Sequence, residues 1–228
     1  MKRHMSVIAI IIASVVGSGA VAQQTHRPSS ATTGVGLAAT AEAQPIVVLK
    51  MAMRKLWEDH ISYTRNYIIS ALAGLEDEGK IAERLLRNQD DIGAAIKPYY
   101  GDAAGKQLAA LLRDHILIAA EIVAAAKAGK MDDVAIGQKK WTANGKDIAA
   151  FLSGANPHWP KKDLEHMLQT HLDLTTGEVV GRLKKDWAAD IKSYDDGHAH
   201  MLMFADMLAD GIAKQFPAKL NKSLAFPN

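Results

Sequence analysis

From Pro45 onward the apolar residues of this chain recur every three or four positions, the period of an α-helix with one buried face. Over 46–76 that face reads Leu49, Met53, Leu56/Trp57, His60, Thr64, Tyr67/Ile68 and Ala71/Leu72, and Glu76-Asp77-Glu78 with Gly79 marks the turn that follows. A second helix, 80–96, carries Ile81, Leu85, Leu86, Ile92 and Ile96, and Pro98 and Gly101 end it. A third, 102–128, carries Leu108, Leu111/Leu112, His115, Ile118/Ala119, Ile122 and Ala126, with Gly129 placed to close it just beyond the C-cap. A fourth, 131–152, carries Val134, Trp141, Ile148 and Phe151/Leu152.

Asn156-Pro157-His158-Trp159-Pro160 reads as a rigid loop, because two prolines fix φ and break any helix. A short helix follows over 161–173 with Leu164, Met167/Leu168 and His171. Thr175-Thr176-Gly177-Glu178 has the form of a capping box, T-x-x-E, and opens a last long helix to 215, kinked near Gly197 and ended by Phe216-Pro217. No strand-like alternation and no fixed repeat occurs. The prediction is an all-α, up-and-down helical bundle of about six helices with no sheet, spanning 45–217, with 218–228 as a C-terminal tail.

Upstream the pattern is different. Lys2, Arg3 and His4 precede an apolar run from Val7 to Val16, and Ala20-Val21-Ala22 forms an A-x-A site before Gln23. That is the layout of a cleaved secretory signal peptide over 1–22, too short to anchor in a bilayer, and it predicts a periplasmic or secreted protein. Residues 23–44, poor in bulky side chains, read as a flexible tether, with Ala41-Glu42-Ala43 a weaker processing site. No later segment is apolar enough to span a membrane: Ile116 to Ala126 is interrupted by Glu121. Losing the leader removes Lys2 and Arg3, so 25 basic residues face 25 acidic ones. That balance argues against a nucleic-acid partner, which needs a basic patch. The absence of cysteine excludes a disulfide scaffold, a thiolate metal site and a cysteine nucleophile.

The candidate chemistry lies in the histidines. His60, His115, His171 and His198 fall on different predicted helices, each with apolar residues three or four positions away. Antiparallel helices can bring such residues to one level, as di-metal bundles do. Asp195 and His198 have the carboxylate-x-x-His spacing of helical metal sites, and Asp206, Asp59, Glu121 and Glu178 are further carboxylates on these helices. The first reading is therefore a binding protein for a small ligand or metal ion, with a buried His/Asp site for zinc, iron, manganese or copper. Its ligands would be His60, His115, His171 and His198, with Asp195 or Asp206 as an oxygen ligand or orienting partner.

The second reading is a structural or interaction protein whose histidines only satisfy core hydrogen bonds; the third is an enzyme of unknown reaction. Neither H-E-x-x-H nor a pair of E-x-x-H motifs occurs, and Gly34-Val35-Gly36 does not follow a strand, so protease, ferritin-like and nucleotide-loop readings lack support. Met201, Met203 and Met207 read as core filler, and Arg65 with Asp206 as a buried ion pair.

Several segments carry a family resemblance: Leu56-Trp57-Glu58-Asp59-His60 with Thr64-Arg65, Leu86 to Gly93 leading to Pro98-Tyr99-Tyr100-Gly101, Leu111 to Ile116, Ile148 to Ser153 with Ala155-Asn156-Pro157, His171 to Thr175, and Met207-Leu208 to Gln215-Phe216-Pro217. Over residues 50 to 217 the chain resembles a family of small, exported bacterial helical-bundle proteins of uncharacterised function. The labels glycosyltransferase and acetylglutamate kinase attach to such sequences, without a nucleotide-binding motif to match here. The resemblance implies histidine at the positions of His60, His115, His171 and His198 as the functional set.

Overall fold

The computed structural model describes residues 44–222, and every regular element among them is helical. The expected leader and its cleavage sites lie outside the described residues. Six helices follow in order: α1 (Gln44–Ala73), α2 (Glu78–Lys127), α3 (Met131–Ala155), α4 (Lys161–Lys184), α5 (Trp187–Gln215) and α6 (Pro217–Lys222). Each long helix packs on its neighbours in sequence, and α5 returns to α1, closing the bundle into a ring. No helix among the described residues is long and apolar enough to cross a membrane.

The helix ends follow local chemistry. α1 stops at Ala73, earlier than expected, because Gly74 takes φ +69° and lets the Leu75 N–H reach back to the Ser70 carbonyl at 2.9 Å. α2 ends the same way at Gly129 (φ +71°), with Lys130 N–H on the Ala125 carbonyl.

Inside α2, Gly101 has φ 85° and ψ 167°, which no helix accommodates, and Pro98 lies three residues before it. The chain doubles back there, so α2 is two antiparallel limbs that correspond to the second and third expected helices. Arg113 donates to the Leu86 carbonyl and to Asp90, and a Cβ on Gly93 would sit 2.4 Å from the Gly105 carbonyl oxygen.

The expected break at Thr175 is absent, and α4 runs through it. Thr175 is buried on the inner face and its Oγ1 donates to the His171 carbonyl at 2.9 Å, a bond internal to the helix. The break comes at Lys185, in the left-handed region (φ 58°), and Asp186 caps α5 by accepting from the Ala189 N–H at 3.0 Å. α5 continues through Gly197 without interruption. The tail expected from 218 opens as α6, whose Leu220 is buried.

The apolar interior divides into three clusters. The largest joins Met53, Trp57, Ile92, Leu112, Ile148, Trp159, Leu168 and Phe204 with their neighbours. Two smaller ones centre on Ile68, Val123 and Val179, and on Ile122, Val134, Trp141 and Leu172.

Gly93→Ala tests the hairpin inside α2. The new methyl would meet backbone, which cannot rotate away, so stability should fall by about 1–3 kcal/mol. Urea unfolding should show a lower midpoint at unchanged m-value.

Candidate functional site

On three helices a histidine stands between the large cluster and the small ones. His60 lies between Trp57 and Ile68 on α1, His115 between Leu112 and Ile122 on α2, and His171 between Leu168 and Val179 on α4. All three are buried, at 2%, 3% and 2% exposure. Their rings are neighbours: His60 and His171 lie 5.5 Å apart centre to centre, and His171 stacks on His115 at 5.9 Å. Indoles close both ends, with Trp57 5.5 Å from His60 and Trp141 5.1 Å from His115. The row therefore reads Trp57–His60–His171–His115–Trp141. Asn88 and Gln89, both fully buried, and Asn144 add further polar groups from α2 and α3.

Hydrogen bonds fix some of these groups and leave others open. Asn144 donates its amide N–H to the Leu111 carbonyl, which turns its Oδ1 toward His115 Nδ1 at 2.8 Å. His115 must then carry its proton on Nδ1, leaving Nε2 with a lone pair. Gln89 donates to the Leu85 carbonyl and to Asn88, so its Oε1 is left as a free acceptor. Among the described residues, His60 Nδ1, His171 Nδ1, Thr64 Oγ1 and the N–H groups of Trp57 and Trp141 are buried with no hydrogen-bond partner. Orphaned polar atoms at that density are unusual in a folded interior, where nearly all such groups are paired.

Burial keeps the row neutral. It pushes His60 down to about 3, with His115 adding to the effect, and His115 down to about 4. It also holds His171 well below the ordinary value, helped by His60, His115 and His200. No carboxylate enters the row to stabilise an imidazolium.

The fourth inward histidine is His200, not His198. His200 is buried and its Nε2 donates to the Met167 carbonyl at 2.8 Å. His198, expected in the set, is partly exposed and faces Glu58 at 3.4 Å across the bundle surface. Asp195, expected beside it, is exposed. Both belong to the outer face of α5, whose buried line runs through Gly197, His200, Phe204 and Leu208.

Asp206 is likewise on the surface, held bidentate by Arg54 at 2.7 and 2.5 Å rather than by Arg65. Asp59 pairs with Lys55 and Arg84, and Glu121 is exposed. Among the described residues no three His, Asp or Glu side chains are grouped so as to hold a metal ion.

Arg65 instead anchors a separate charged cluster. It binds Asp190 through both NH groups and Glu178 at 3.1 Å, and Arg182 reaches Asp190 at 2.9 Å. Glu178 and Asp190 are both buried. Burial raises Glu178 to about 7, against the pull of Arg65. The pairing fastens α1 to α4 and α5 and was not legible from spacing, since its members lie 113 and 125 residues apart.

No known family, no curated protein and no solved structure matches this chain.

The row predicts how stability of the metal-free protein depends on pH. Below 6.5 the unfolded chain protonates at three histidines that stay neutral when folded, so stability is full above 6.5 and is lost as pH falls towards 4 and 3. Glu178 acts oppositely, since its raised value makes the folded state gain the proton first between about 7 and 4.5. Three groups outweigh one, and each contributes about 1.4 kcal/mol per pH unit. Urea unfolding from pH 6 to 5 should show a net loss on the order of 3 kcal/mol per unit. His60→Leu should reduce that slope by about half.

Proposed function

We propose that this chain is an exported helical-bundle binding protein whose site is the buried histidine row. The observation that carries the proposal is the pair of Nδ1 atoms on His60 and His171, from neighbouring rings, buried with no partner. The leader-like residues 1–22 support export.

A transition metal is the ligand proposed for the row. Neutral imidazoles are ready donors, because no proton has to leave before they coordinate. His115 already has the arrangement of a metal-bound histidine, one nitrogen donating to an oxygen and the other free. An all-nitrogen set without carboxylate suits copper or zinc and is poor for manganese, which prefers oxygen. His60 and His171 would be ligands, with His115 as the third. The three are not grouped as a preformed site, so coordination would require ring rotation. Asp195, Asp206 and His198 have no part in this reading.

A second reading, a purely structural polar layer, is favoured by the bonds His115–Asn144 and His200–Met167, which satisfy those rings within the protein.

Metal analysis separates the two. Untagged protein purified from its native compartment should hold copper or zinc at about one per chain, or take it up on titration. His60→Ala and His171→Ala should each weaken uptake at least tenfold while retaining helical circular dichroism. No metal as purified and no uptake of zinc, copper, iron or manganese would leave the structural reading.

A further inference from the structure

The two minor apolar clusters fail to join because a cavity lies between them. Its volume is about 210 Å³, and Ile68, Val123 and Val179 from one cluster and Ile122, Val134 and Trp141 from the other line it. The space exists because the sequence provides alanine where the helix face would accept a larger side chain: Ala119 and Ala126 both line it. Well-packed interiors leave few voids larger than a water molecule, and an apolar cavity of about 150 Å³ is enough to take up benzene. At the rim stand Met131, Val180 and Leu183, apolar yet 65%, 40% and 43% exposed.

The lining also states what kind of molecule suits it. No charged side chain is present, so a charged ligand would lose its hydration without recompense. Two polar atoms of lining residues are orphaned: Thr64 Oγ1, and Nε1 of Trp141, itself 4% exposed. An indole N–H can only donate. Its missing partner must be an acceptor.

We infer that this cavity is a binding pocket for a small, neutral, largely apolar molecule of one or two rings, carrying one acceptor oxygen that pairs with Trp141. The pocket is distinct from the proposed metal ligands, although Trp141 borders both.

Acetophenone and cumene, similar in shape but differing in the carbonyl oxygen, serve as probes in calorimetric titration of the purified protein. Neither depends on a metal, so the outcome is independent of what the histidine row binds. Acetophenone should bind saturably at one per chain. Trp141→Phe removes the N–H donor together with the pyrrole ring; cumene reports the effect of the lost volume, so the acetophenone-to-cumene affinity ratio should fall about tenfold, the effect of one hydrogen bond. Ala119→Phe, or Ala126→Leu should the first not fold, fills the space and should abolish binding of both while retaining a cooperative melt. The proposal is overturned by no saturable binding of either probe, by a ratio unchanged in Trp141→Phe, or by undiminished binding in the filled variant.

Discussion

Desolvation of imidazole is the constraint on which the interior depends. Three adjoining rings, His60, His171 and His115, can share one dry layer only if none is protonated, because the next charge would face its neighbours across less than 6 Å with no anion to offset it. Neutrality in turn makes tautomer and hydrogen bonding decisive. Asn144 settles the proton on His115, and its own amide is oriented by the Leu111 carbonyl. At His60 and His171 no hydrogen bond among the described residues fixes Nδ1, although the Gln89 side chain lies beside His60 and favours its charged form against burial.

The layer also organises the packing around it. It separates the large apolar cluster, built on Trp57, Trp159 and Phe204, from the two smaller ones around the cavity. The half with the large cluster forms one connected apolar core. The other half is closed off differently, by the Arg65 cluster, which ties α1 to α4 and α5 through Glu178 and Asp190. A buried ion cluster of this kind specifies geometry more than it adds stability, since each charge has lost its water.

The helices were legible because burial is written at a spacing of three and four residues. The inward placement of His60, His115 and His171 is legible from that spacing, since each has apolar residues three or four positions away. His198 has Tyr194, Met201 and Leu202 at the same spacing, yet it lies on the outer face. Gly197, Phe204 and Leu208 are in register with His200, so the signal was present in the glycine and apolar stripe rather than in the pair Asp195 and His198. Thr175 and Glu178 were misleading for a related reason. The apolar inner face continues through Thr175 to Val179, and the Thr175 hydroxyl bonds back to the His171 carbonyl instead of capping a new helix. Arg65, Asp190 and Glu178 could not be paired in advance, because nothing local joins residues more than 100 positions apart.

The ring is closed by its two ends. Lys50 bonds to Asp210 across 160 residues and Arg54 to Asp206 across 152. A growing or translocating chain therefore cannot complete the bundle until nearly its last helix has emerged. Until then α1 has no α5 to cover it, and Trp57 and His60 remain open to water. Closing a loop of that length is entropically costly, so the α1–α5 seam is a late contact. On the proposed binding function, the ligand would be captured by the finished molecule rather than by the growing chain.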